Sequence, residues 1–203
     1  LNELFELFTT NLNKYPELIT NNIDKILLTM KDLLAQIFNN RLDDNSMDIM
    51  KYFLNLFYKI SLIREIMDIV KIDTIQQVYE QILLSLIYDN LENFGKQEEG
   101  KKIVKALNAM IVKQMENFNI NYSIISFIRI IHKYRDSKIC SLASRCVHTI
   151  VKMTPNYIDK IQVERILYAI YEYIREFEKI SEDLNPINHN DEMIINTLRN
   201  LLA

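Results

Sequence analysis

Apolar residues spaced three and four apart recur along nearly the whole chain, and this periodicity limits the fold more than any single motif does. The clearest stretch runs Ile23, Ile26, Leu27, Met30, Leu33, Leu34, Ile37 and Phe38, which is one face of an amphipathic α-helix. Leu4, Leu7, Phe8 and Leu12 form a shorter stripe before Tyr15-Pro16 interrupts it, and Ile49, Met50, Phe53, Leu54, Phe57 and Ile60 form another. Only two Gly and three Pro occur in 203 residues. Sheet proteins spend both on frequent turns, and dinucleotide-binding folds need Gly where backbone meets phosphate. The chain therefore reads as all-α with short connectors.

Helices are expected over about residues 1–14, 22–38, 49–60, 74–91, 98–117, 122–134, 136–153, 162–180 and 191–202. Residues 39–46 are a polar connector, and 61–72 fit a short helix through Leu62, Ile66 and Ile69. Asp136, just ahead of a periodic run, is the expected N-cap of its helix. From Tyr122 to Ile131 almost every position is apolar, the pattern of a helix buried on most sides.

The run Pro16-Glu17-Leu18-Ile19 followed by Ile23-Asp24-Lys25-Ile26-Leu27 is echoed by Pro155-Asn156-Tyr157-Ile158 followed by Val163-Glu164-Arg165-Ile166-Leu167. A proline can open a helix without any repeat, since it is favoured in a first turn, but here the order of charged and apolar residues matches beyond the proline. Taken as three steps, the offset gives a unit of about 47 residues, at the top of the HEAT and armadillo range. The expected architecture is a HEAT-repeat-like α-solenoid of about four helix pairs plus a terminal helix, one domain over 1–203. The absence of an initiator Met fits a piece of a larger protein. Counted in pairs, the turns near 15–21, 61–72, 118–121 and 154–161 fall on one edge. Those near 40–46, 92–97, 134–138 and 179–190 fall on the other, and repeat proteins bind along such an edge or its neighbouring face.

Chemistry is sparse. The net charge of −3 comes from mixed signs, so no general field for nucleic acid is expected. No apolar run approaches the roughly 20 residues of a membrane span, and no signal peptide precedes Leu1. Metal ligation would need His132, His148, His189, Cys140 and Cys146 to converge, yet Cys146 and His148 point about 200° apart on one helix. Cys140 shares an apolar stripe with Ala143, Val147 and Val151, so both thiols read as free core residues of a cytosolic protein. Glu98-Glu99 and Asp43-Asp44 read as solvated charge, and the phosphate-loop, dinucleotide, nucleophile-elbow and zinc-protease motifs are all absent. No enzyme activity, cofactor or metal is expected. The Asn121-Tyr122-Ser123 sequon has no opportunity for glycosylation without secretion.

Two partner surfaces are legible. On the first edge, Lys14, Tyr15, Arg64, Lys71, Tyr122, Asn156 and Lys160 make a mildly basic strip suited to an acidic protein surface. On the second, Lys133, Arg135 and Lys138 flank Tyr134 in the densest basic cluster, whose simplest reading is a solvated connector.

The order Glu99-Gly100, Ile103-Val104, Leu107-Asn108, Ile111-Val112-Lys113 and Met115-Glu116 resembles the carboxy-terminal TOG-like region of the Minispindles-type microtubule polymerases. The likeness continues through Pro155-Asn156, Ile158, Ile161, Val163, Arg165-Ile166-Leu167 and Ile170 to Ile194, Thr197-Leu198 and Leu201, and is best over about 61–202. The resemblance implies a non-enzymatic HEAT-repeat paddle of a cytoskeletal protein acting at microtubule ends, kinetochores and spindle poles. The family's tubulin-binding domains present a Trp in their first intra-repeat turn and usually carry six repeats. This chain has no Trp, Tyr15 or Leu18 stands at the equivalent turn, and fewer repeats are visible. The resemblance therefore implies localisation through coiled-coil adaptors of the transforming acidic type, or through the microtubule lattice, ahead of capture of free tubulin. A generic HEAT scaffold for a non-tubulin complex is the alternative.

Overall fold

The computed structural model describes residues 10–11, 14–39, 44–88, 97–135 and 137–181, with 196 and 199. Among them every regular element is helical. The elements are α1 (Pro16–Thr20), α2 (Ile23–Asn39), α3 (Asp44–Ser61), α4 (Arg64–Met67), α5 (Ile72–Leu86), α6 (Gln97–Asn117), α7 (Ile120–Lys133), α8 (Lys138–Met153), a 3-10 stretch (Thr154–Lys160) and α9 (Val163–Ser181). They group into two compact units, 1–119 and 120–203. The helices expected over 1–14 and 191–202 lie almost wholly outside the described residues.

In the first unit, α2 packs on α5 and α3 packs on α6. Ile23, Leu27, Met30, Leu34 and Phe38 of α2 are buried, the three-and-four rhythm of one helix face, while Leu33 of the expected stripe is exposed. Met50, Phe53, Leu54, Phe57 and Ile60 do the same for α3. Stacked helices run in the same direction. The Asp24 side chain meets Lys71, Lys31 meets Gln77, and the Phe38 ring lies edge-on to Tyr88 at 5.4 Å. Likewise Lys51, midway along α3, reaches Glu99 in the first turn of α6. At the C-terminal ends of the two helices Gln114 Nε2 donates to Ser61 Oγ (3.3 Å) and Asn117 Nδ2 donates to the Ser61 carbonyl. Ser61, Gln114 and Asn117 are all buried, so this knot replaces hydration lost at the C-terminus of α3.

The connector after α3 carries α4, the short helix expected through Leu62, Ile66 and Ile69. It buries Ile66, Met67 and Val70 and leaves Leu62 and Ile69 outside. Three residues cannot occupy one face of a single helical turn, so the periodicity overstated the stripe.

In the second unit α7 packs on both α8 and α9. Ile120, Ile124, Ile125, Phe127, Ile128, Ile130 and Ile131 are buried, with Ser123 and Ser126, as expected for a helix enclosed on most sides. The N-cap of α8 is Ser137, whose hydroxyl accepts from the Ile139 N–H (3.2 Å); Asp136 lies outside the described residues. Pro16 and Pro155 both open helical turns. The two turns nevertheless differ, because Tyr157 at φ −133° and ψ 18° breaks the second one. Ile19 is consequently buried, whereas Ile158, its counterpart in the repeat, is 64% exposed.

One contact recurs in both units. Asp24, second residue of α2, accepts from the backbone N–H of Lys71, the residue ahead of α5, at 3.0 Å and a separation of 47 residues. Asn121, second residue of α7, accepts from the N–H of Gln162, the residue ahead of α9, at 2.7 Å, and donates to the Lys160 carbonyl at 2.9 Å. Each satisfies a backbone donor that the following helix cannot use internally. Asn121 is buried and both ends of its amide are engaged, which also closes it to glycosylation.

Two outcomes are expected. Asn121→Ala, which orphans a buried donor and a carbonyl, lowers stability by about 1–3 kcal/mol, and Asp24→Ala, at a more hydrated site, by about 0.5–1.5 kcal/mol. Urea unfolding followed by circular dichroism checks the order. Burial pushes the Cys146 thiol up to about 12 from an ordinary value near 9. The unfolded chain thus ionises first, and this group's contribution is present below pH 9 and is lost as pH rises towards 12. Cys146→Ala should flatten the alkaline loss of stability by up to about 1.4 kcal/mol per pH unit, read from urea midpoints between pH 8 and 11.

Candidate partner-binding surface

The inter-helix bracket sets which turns lie side by side. In the first unit it joins the start of α2 to the start of α5, so Lys14, Tyr15, Arg64 and Lys71 share one end of that unit. Lys14, Arg64 and Lys71 are exposed and Tyr15 is half exposed. The Lys71 ammonium stands 3.9 Å from Asp24 Oδ2, so its backbone and side chain both address the same carboxylate. In the second unit the Asn121 amide holds the 3-10 turn against the start of α7. That places Tyr122, half-buried, near Lys160, with Asn156 exposed on the same turn.

The turns are not uniformly basic. Glu17, Glu65, Asp68 and Asp159 are exposed on them too. They also carry exposed apolar side chains, Leu18 (63%), Leu62, Ile69 (52%) and Ile158, as do helix faces elsewhere, among them Leu33, Val112, Leu167 and Ile174. Exposed aliphatic side chains on a turn give a partner apolar area beside the cations there. Sequence reasoning assigned Leu62 and Ile69 to an internal stripe and Ile158 to a repeat position equivalent to buried Ile19. For Leu18 and Ile158 the available signal is proximity to Pro16 and Pro155; nothing in the sequence marks Leu62 and Ile69.

The basic cluster is arranged differently. His132 is half-buried and edge-on to the Tyr173 ring at 5.8 Å. Lys133 Nζ sits 5.2 Å from the Tyr134 ring centroid, so the aromatic face is already engaged by a cation. Lys138 is exposed at the start of α8 and Arg135 is half-buried before it. Cys140 and Cys146 are free and buried, and among the described residues no group of three or more His, Cys, Asp and Glu side chains is placed to hold a metal ion. No helix among them is long and apolar enough to cross a membrane.

No family model matches the chain, and no solved structure matches it. Similarity to known proteins is distant but extended. The chain is 21% identical over 174 residues to Protein MOR1 of Arabidopsis thaliana, which covers 78% of this chain and 9% of the relative. It is 22% identical over 169 residues to Protein MOR1 of Oryza sativa subsp. japonica, covering 75% of this chain and 8% of that protein. The chain thus spans less than a tenth of the length of either relative. Similarity at this level, extended over three quarters of the chain, supports distant kinship with the two MOR1 proteins.

Proposed function

We propose that this chain is a non-catalytic, TOG-like domain of a microtubule-associated protein, working by docking a protein partner along its helix-to-helix turns. The observation that carries the reading is the similarity to the two MOR1 proteins over three quarters of the chain. The turn geometry supports it, because exposed aliphatic tips and cations share one end of each unit. Partner binding there combines an apolar contact with a polar rim, the usual anatomy of a protein interface. The partner is the microtubule surface or a coiled-coil spindle adaptor attached to it, which places the protein on the cytoskeleton, at spindle and microtubule ends. Neither catalysis, a cofactor, nucleic acid nor a membrane enters this reading.

Co-sedimentation with stabilised microtubules, with and without lysate, tests it, and mass spectrometry of the captured proteins identifies any adaptor. Pelleting of the chain with tubulin alone, or only in the presence of a captured spindle adaptor, is the expected result. Recovery solely of proteins unrelated to microtubules would replace it with the generic scaffold. Reversing Lys14, Arg64, Lys71 and Lys160 to Glu should weaken binding about tenfold, since each exposed charge pair contributes about 0.2–1 kcal/mol. Replacing Leu18, Ile69 and Ile158 with Asp should weaken it further and with little salt dependence. Unchanged binding in both variants would remove the turns from the interface.

A further inference from the structure

The first unit has a second surface, away from the turns, in the trough between α3 and α6. Lys51, Leu54, Asn55 and Tyr58 line one wall, and Glu99, Lys102, Ile103, Ala106 and Ala109 the other, around a volume of about 350 Å³. Leu54 and Ile103 form a buried apolar floor. The α3 residues recur at three and four, so they are one continuous stripe, spanning about 10 Å at 1.5 Å per residue. Both walls are helices with internally satisfied backbones. An extended peptide would find no ladder partner here, whereas a helix brings its own hydrogen bonds and needs only side-chain fit. Ala106 and Ala109, one turn apart on the same flank of α6, leave room for a helix to approach closely.

Charge selects the occupant. Lys51 is already held by Asp48 (3.2 Å) and Glu99 (3.3 Å). Lys102, which lines the trough, and Lys105, one turn further on and just outside the lining, are exposed and have no carboxylate partner among the described residues. We propose that this trough docks an amphipathic helix of a partner protein that places two aliphatic side chains, four residues apart, on the Leu54/Ile103 floor and acidic side chains against Lys102 and Lys105. The contact is separate from the turn surface and does not depend on the microtubule reading.

The test uses the full 203-residue chain and two labelled designed helical peptides, both with Leu at two positions four apart, one flanked by Glu and one by Lys. Fluorescence anisotropy should show saturable binding of the Glu-flanked probe and at least about tenfold weaker binding of the Lys-flanked one. Ala109→Trp, at an exposed position that the fold tolerates, should weaken the Glu-flanked probe about tenfold with an unchanged melting curve. The pair Lys102→Glu and Lys105→Glu should exchange the preference, so that the Lys-flanked probe binds better. Equal binding of both probes to the unmodified chain, or wild-type affinity in Ala109→Trp, would overturn the proposal. So would a dimer in sedimentation velocity that Ala109→Trp converts to monomer, since the occupant would then be a second copy.

Discussion

A carboxylate or amide at the second position of a helix, accepting the backbone N–H just ahead of the next helix in the stack, fixes the geometry on which the rest depends. Helix packing alone sets distance and crossing angle loosely, because apolar ridges slide past one another at small cost. A hydrogen bond to one specified N–H does not slide. Asp24 with Lys71, and Asn121 with Gln162, lock the register of α2 against α5 and of α7 against α9. The turns brought together this way are the ones that display Leu18, Ile69 and Lys71 in one unit and Ile158 and Lys160 in the other. The same bond that orders the core thus composes the surface.

The difference between the two brackets follows from burial. Asp24 is partly hydrated, and a carboxylate there accepts one N–H while its other oxygen faces the Lys71 ammonium. Asn121 is almost wholly buried, where an ionised group would lose far more hydration than one N–H restores. A neutral amide both accepts and donates, so it meets Gln162 N–H and the Lys160 carbonyl together.

Most of the fold was legible because three-and-four periodicity survives wherever a helix has one dry face. The helices around Leu27, Phe57, Val78, Leu107, Ile128, Val147 and Ile170 fall where the apolar spacing puts them. Their first and last residues did not follow as closely, because ends are set by caps such as Ser137 that depend on local geometry. The repeat was read from its first and last copies through Pro16 and Pro155. A fuller signal lay in the openings Ile23-Asp24, Ile72-Asp73, Ile120-Asn121 and Val163-Glu164, each a β-branched aliphatic followed by an acid or amide at the start of a helix. That pattern is nearly invisible without knowing what the second residue bonds to. The surface was less legible still. An aliphatic residue on a turn is indistinguishable in sequence from one on a buried stripe, and the α3/α6 trough joins residues 48 apart in the chain.

Among the described residues the chain has no strand edge to offer a partner and gathers no reactive cluster. Its helices keep their backbone polar groups to themselves, so recognition must come from side chains alone. Two arrangements supply that. Turns expose side chains at the end of each unit, where aliphatic tips and single charges can meet a broad surface. Troughs between parallel helices instead expose a narrow apolar floor with charge on its lips, and suit a single helix. The first rewards shape over a wide area and tolerates substitution at any one tip. The second concentrates its contact on Leu54, Ile103 and two alanines, so one bulky side chain at Ala109 is enough to close it. Surfaces built on such different rules can evolve separately, and a chain with both can hold two partners without either contact disturbing the core.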